Sequence, residues 1–319
     1  MMQPHATRLL GTFTALVTPF TTDGSTIDTA RLAERINDQA IAGVTGVVPC
    51  GTTGESPTLS DAEYRTVVET TIEHARPQGL TVIAGAGSNA TNHAVELHRF
   101  AAAAGADAAL HVTPYYNRPS ADGLYRHFMT LADAADLPIV LYNVPGRTGV
   151  RLTTDTIERL AKHPNIIAVK DATGGLDQAS EIIVRTDLHV LSGDDPLTLP
   201  LIAMGGSGVI SVTANIRPAD VATMVAAALA DHMDDAREVH FDLLALSKAL
   251  LRLGPNPTPI KAAMAMAGLD TGTVRLPLVD INDVAKAQLR ALVETTHVDS
   301  MPTVEVTPSA RPSVTPGVS

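Results

Sequence analysis

Ile166-Ile167-Ala168-Val169-Lys170-Asp171 decides how the rest of the chain is read. Its four leading residues are apolar and mostly β-branched, too few for a helix and suited to a strand buried on both faces. A lysine then falls where the strand runs out. Burial disfavours an ammonium ion, so a lysine placed there can offer a free amine to a carbonyl carbon. The plainer reading is a strand-end lysine whose stem packs while its head reaches water. The company Lys170 keeps along the chain favours the first reading.

Short β-rich runs recur at Phe13–Val17, Gly46–Pro49, Thr81–Gly85, Ala109–Thr113, Ile139–Asn143, Ile166–Lys170, His189–Ser192 and Gly208–Val212. Helical stretches such as Thr29–Ala42, Asp61–Ala75, Thr91–Ala104 and Thr154–His163 lie between them, separated by turn signals at Thr22-Asp23-Gly24, Gly105 and Pro138. Strand–helix alternation predicts a parallel sheet, and eight such units fit a closed (β/α)8 TIM barrel. A doubly wound open sheet is the alternative, but Gly85-Ala86-Gly87-Ser88-Asn89 does not complete a nucleotide fingerprint. Helical patterns alone follow at Met233–Arg252, Pro259–Gly268 and Ile281–Thr295. The expected organisation is a barrel over 8–231, a helical region over 232–296 and a flexible tail over 297–319, rich in Pro, Ser, Thr and Val.

The 319 residues are 45% apolar and 18% charged, as in a globular protein, with ample material for a core. A formal net charge of -11 with no gathering of Lys and Arg argues against a nucleic-acid partner and against an anionic membrane surface. The single cysteine, Cys50, allows no internal disulfide. No apolar run is long enough to cross a bilayer, and Met1–Arg8 lacks the apolar core of a signal peptide, so a cytoplasmic location is expected.

In a (β/α)8 barrel the working residues sit at the carboxyl ends of the strands and in the loops beyond them. Those positions hold Thr18, Gly51-Thr52-Thr53-Gly54-Glu55, Gly87, Pro114-Tyr115-Tyr116, Tyr142-Asn143, Arg147, Lys170, Gly193-Asp194-Asp195 and Ile210. The Gly-Thr-Thr-Gly stretch fits a turn whose N–H groups converge on an anion; it equally fits a plain loop with glycines supplying positive φ. Ser60 and Glu63 after it form a capping-box pattern. Tyr142, one strand from Lys170, can relay protons to a lysine adduct, or can be a core aromatic with a satisfied hydroxyl. Arg147 suits bidentate capture of a carboxylate, or a surface ion pair. Metal binding is poorly supported: the histidines are scattered, and His93 and His98 are too far apart to share a helix face.

The segments GTTGES (51–56), TPYYNRP (113–119), YNVPGRTG (142–149), VKDAT (169–173), SGDD (192–195) and GVISVTAN (208–215) resemble the dihydrodipicolinate synthase family, part of the pyruvate-dependent class I aldolase superfamily that includes N-acetylneuraminate lyase. The resemblance runs from about residue 10 to about residue 295. It implies a (β/α)8 barrel, usually a homotetramer built as a dimer of dimers. It also implies that Lys170 forms a Schiff base with pyruvate, with Tyr142, Thr52 and Tyr116 as a hydroxyl relay. Tyr116 would enter the neighbouring subunit's site. Thr53 resembles part of the pyruvate-carboxylate cradle, and the backbone carbonyls of Gly193 and Ile210 would face the site. Arg147 would hold the carboxylate of L-aspartate semialdehyde, which separates the synthases from the sialic-acid lyases. No metal or organic cofactor is implied. At the family's lysine-feedback site Ser56, Asn89 and Tyr115 match, whereas His93 replaces an acid, and Asp61 and Tyr64 replace histidines seen in some members. Weak or absent inhibition by L-lysine is therefore expected. Two alternatives remain: a related aldolase or lyase acting on a 2-keto-3-deoxy sugar acid, and a barrel that binds a keto acid without chemistry.

Overall fold

The apolar runs are strands, and they pair in sequence order into a closed parallel barrel, with β1 beside β8. This computed structural model describes residues 9–295; the expected tail over 297–319 lies outside them. The strands are β1 (Gly11–Ala15), β2 (Gly46–Val48), β3 (Thr81–Gly85), β4 (Ala108–Val112), β5 (Ile139–Asn143), β6 (Ile166–Asp171), β7 (His189–Ser192) and β8 (Gly208–Ser211). The helices are α1 (Thr29–Ile41), α2 (Asp61–Ala75), α3 (Thr91–Ala104), α4 (Ala121–Ala132), α5 (Pro145–Thr148), α6 (Thr154–Leu160), α7 (Asp177–Arg185), α8 (Thr198–Ala203), α9 (Pro218–Leu229), α10 (Met233–Arg252), α11 (Thr258–Met266) and α12 (Asp283–Thr295).

Local chemistry sets the boundaries. Ser60 caps α2 through the full capping box: its Oγ accepts from the Glu63 N–H, and Glu63 accepts from the Ser60 N–H. Gly105 ends α3 in a left-handed conformation at φ 92°. At the barrel seam Gly11 and Gly208 both have positive φ, and a Cβ on Gly208 would fall on the Gly11 carbonyl, so β1 and β8 close only because no side chain intervenes. Side-chain amides stitch the same seam. Asn215 Nδ2 donates to the Ala15 carbonyl at 2.8 Å, and its Oδ1 accepts from the Val17 N–H at 3.1 Å.

Inside the barrel Phe13, Val48, Ile83, Leu110, Val140, Ala168, Leu191 and Ile210 form one core, and a second shell of apolar side chains joins the strands to the helices around them. The last three helices do more than append. Leu246, Leu250, Ile260 and Leu289 pack with Val17, Val212 and Ile216, just beyond the carboxyl ends of β1 and β8. The C-terminal helices therefore roof the end of the barrel at which chemistry is expected.

Candidate active site

β6 carries Lys170 into the barrel by a bulge. Ile139 pairs with Ile166, yet Val140 pairs with Ala168, so β6 holds one extra residue there. From that point Ala168 and Lys170 lie beside Val140 and Tyr142, and Lys170 pairs in register with Tyr142. Lys170 and Tyr142 are each only 6% exposed, and the Lys170 Nζ stands 4.4 Å from the centre of the Tyr142 ring. The solvated-lysine reading is thereby excluded. Tyr142 faces the amine rather than filling an isolated apolar pocket.

β7 completes the surroundings. The Gly193 N–H donates to the Asp171 carbonyl at 2.6 Å, which lays Gly193 against the lysine stem. Asp195, two residues on, is buried; its carboxylate accepts from the Ser211 hydroxyl and from the Val212 and Thr213 N–H groups at 3.0 and 3.3 Å. Burial pushes the Asp195 carboxyl above its usual range, opposed by these hydrogen bonds and by the facing charge of Lys170. Asp195 thus fixes the end of β8, where the buried Ile210 sits.

The Gly51–Gly54 turn departs from the plain-loop form, in which its glycines supply positive φ. Neither glycine has positive φ; the left-handed residues are Cys50 at φ 54° and Glu55 at φ 53°, one on each side. Gly54 is needed for close approach, since a Cβ there would lie 3.0 Å from the Cys50 nitrogen and 3.2 Å from the Leu16 carbonyl oxygen. Thr18 Oγ1 donates to the Gly54 carbonyl at 2.7 Å. Thr53 is buried and accepts from Asn256 Nδ2 at 3.0 Å, whereas Thr52 lines a cavity. Cys50 itself is buried with its thiol pushed well up by desolvation, so it is not a reactive thiolate.

That cavity has a volume of about 390 Å³ and is lined by Thr52, Ser56, Asp61, Tyr64, His93, Tyr115 and Arg147, among others. It gathers the expected carboxylate-binding arginine and most of the expected feedback residues; Lys170 and Tyr142 are not in its lining. Arg147 makes no ion pair among the described residues, so the surface-pair alternative is not realised. Its loop is fastened from behind by Asn143, which donates to the Leu152 carbonyl at 2.9 Å and accepts from the Leu152 N–H at 3.0 Å. Tyr116 is 90% exposed in a left-handed conformation at φ 72°, and its N–H donates to the Thr148 carbonyl at 3.4 Å. Its ring projects away from this chain.

Asn143 was among the strand-end positions read from sequence, whereas several other structural partners of the site were not: Thr148, Asn256 and Lys261. Lys261 left a signal, a lone charge inside the apolar stretch Pro259–Met266. Thr148 left none, because polar residues in the loops beyond strand ends are ordinary. The histidines are less scattered than their spacing implied. His98 Nδ1 and His111 Nε2 are 3.1 Å apart, both rings buried, with His127 near enough to affect His111. Among the described residues no group of three or more His, Cys, Asp or Glu could hold a metal ion, and no helix is long and apolar enough to cross a membrane.

A buried lysine at the carboxyl end of the sixth strand, paired with a tyrosine on the fifth, defines a lyase of the class I aldolase type on a (β/α)8 barrel. Residues 8–296 match the model of the dihydrodipicolinate synthetase family, and the chain belongs to that family. It is 47% identical over 286 residues to the 4-hydroxy-tetrahydrodipicolinate synthase of Citrifermentans bemidjiense, spanning 89% of this chain and 97% of that one. Its fold is similar to that of dihydrodipicolinate synthase from Aquifex aeolicus, with a TM-score of 0.88 and 42% identity over 91% of this chain and 98% of that one. It is also similar to the Cyanidioschyzon merolae enzyme solved with lysine bound, with a TM-score of 0.88 and 38% identity over 91% and 99% of the two chains.

Proposed function

We propose that this chain condenses pyruvate with L-aspartate 4-semialdehyde to give 4-hydroxy-tetrahydrodipicolinate, on the route to diaminopimelate and lysine. The observation that carries the reading is the buried Lys170 amine in register with Tyr142. The neutral amine adds to the ketone of pyruvate and loses water to form an imine. Loss of a methyl proton gives an enamine, which attacks the aldehyde; ring closure by the second substrate's amino group then releases the product by transimination. Tyr142, Thr52 and Tyr116 pass the protons, Tyr116 from a neighbouring subunit of a homotetramer. Thr53 helps cradle the pyruvate carboxylate, and the Gly193 and Ile210 carbonyls face the site. Arg147, which makes no ion pair among the described residues and lines the same cavity as Thr52, takes the carboxylate of the semialdehyde. The reaction needs no metal or organic cofactor, and its setting is the cytoplasm.

Borohydride reduction in the presence of pyruvate, read by intact mass and peptide mapping, tests the reading. An adduct on Lys170 is the expected result. An unmodified Lys170 would favour a barrel that binds a keto acid without chemistry, and pyruvate release from 2-keto-3-deoxy sugar acids would favour the related lyases.

A further inference from the structure

Glu55 closes the Gly51–Gly54 turn in the left-handed region, where a side chain other than glycine's is strained unless its surroundings hold it. Its surroundings do. The Glu55 carboxylate is wholly enclosed: Oε1 accepts from Lys261 Nζ at 2.7 Å, and Oε2 accepts from the Arg275 N–H at 3.0 Å. Lys261, on α11, is equally enclosed; its Nζ also donates to the Thr273 carbonyl at 2.7 Å and stands 4.2 Å from the centre of the Phe20 ring. The partners are 206 residues apart in sequence.

Helix α11 gains nothing of its own from a charge at this position. Its other buried residues include Ile260, Ala262, Ala263 and Met264, and an apolar side chain at 261 would suit that face. A buried ion pair is a weak source of stability, because desolvation offsets the attraction, but it does prescribe where its two ends must lie. One end here is the turn that presents Thr52 and Thr53. The Glu55 N–H donates to the Thr52 carbonyl at 3.1 Å, and Asn256, on the approach to α11, donates to the Thr53 hydroxyl. The C-terminal segment therefore grips the turn at two points.

We propose that Lys261 and Glu55 are positioning residues for the reaction, their buried pair aiming the Thr52 and Thr53 hydroxyls from the turn at the bound keto acid. The inference rests on the functional reading above, in which those two threonines serve pyruvate. The pair touches no substrate and acts through the turn alone.

The test uses the full-length protein and the variants Lys261→Met, Glu55→Gln and the double variant, each assayed below its own melting temperature. Borohydride trapping of the unaltered protein comes first; failure there sinks the functional reading itself. Given trapping, each single variant is expected to lose about 10- to 100-fold in kcat/KM for pyruvate, mainly through KM, as misplacement of positioning groups does. Lys170 should still be trapped at saturating pyruvate. The double variant, with no unpaired buried charge, should regain most of the melting temperature lost by Lys261→Met but not the pyruvate KM. Unchanged pyruvate KM and kcat beside a lowered melting temperature would overturn the proposal, leaving the pair a purely structural one. Should Lys261→Met not fold, Glu55→Gln, which keeps an acceptor for Lys261, decides by the same criteria.

Discussion

Gly193 and Lys170 are packed so closely that no side chain fits between them. A Cβ at position 193 would lie 3.0 Å from the Lys170 Cε and from the Asp171 carbonyl oxygen, and 2.9 Å from the Ala172 Cβ. Gly193→Ala is therefore expected to push the lysine stem off its course. Overpacking of this kind costs about 1–3 kcal/mol of stability, and displacement of the amine should lower kcat by about 10- to 100-fold. Slower borohydride trapping of Lys170 would report the second effect separately from the first.

Tyr142→Phe keeps the ring beneath the Lys170 amine and removes only the hydroxyl. Its predicted effect is a fall in kcat of about 100- to 10,000-fold, the usual range for a lost general acid–base, with little change in melting temperature. A rate within a few-fold of the unaltered protein would remove Tyr142 from the relay.

Arg147→Ala should act on one substrate only. Losing a charge-assisted hydrogen bond of about 1.5–3 kcal/mol corresponds to roughly 10- to 150-fold in KM for the semialdehyde. The KM for pyruvate is expected to stay put. Parallel changes in both KM values would mean that Arg147 holds the loop and not a carboxylate.

His93 lines the cavity at the position where the family resemblance implies an acid in inhibitable members; Asp61 supplies the carboxylate in that lining. L-Lysine is accordingly expected to inhibit only at millimolar concentration or above, and His93→Glu should strengthen inhibition by about 10-fold through one added charge-assisted contact. Strong inhibition of the unaltered protein in a steady-state titration would refute this.

The buried histidines predict a dependence of stability on pH. Burial lowers His98 and His127 from 6.5 to about 4 and holds His111 well below its usual value, with His98 and His127 as the charges facing it. Folding thus favours the neutral rings, so the unfolded chain binds more protons whenever the pH lies below 6.5 and above the folded values. Their contribution is whole above about pH 6.5 and is lost as pH falls toward about 4. Thermal melts over that range should decline by about 10 °C or more, and His111→Gln, which does not titrate, should make the decline shallower.

Much of the fold could be read from the chain because local and global preferences agree. The limits expected for β3, β5 and β7 are those found, as are those of α2, α3 and α10; the remaining strands differ by one or two residues, where ladders fray into loops. The site was legible where chemistry-bearing residues sit at strand ends, as Lys170 and Tyr142 do. Its supports were not. The bulge in β6 leaves no mark in an unbroken apolar run, and the left-handed conformations of Cys50 and Glu55 run against the expectation that glycine takes that role. Contacts such as Glu55 with Lys261 and His98 with His111 are made by the closure of the fold, which no local pattern encodes.

The seam at Gly11 and Gly208 has a consequence for how the polypeptide is made. While the chain emerges from the ribosome, β1 waits for a partner that lies almost two hundred residues downstream. During that interval the growing sheet has two raw margins, each a template for adhesion to other chains. Late closure makes the half-finished barrel the stage most exposed to aggregation, and a side chain at either seam glycine would prolong it.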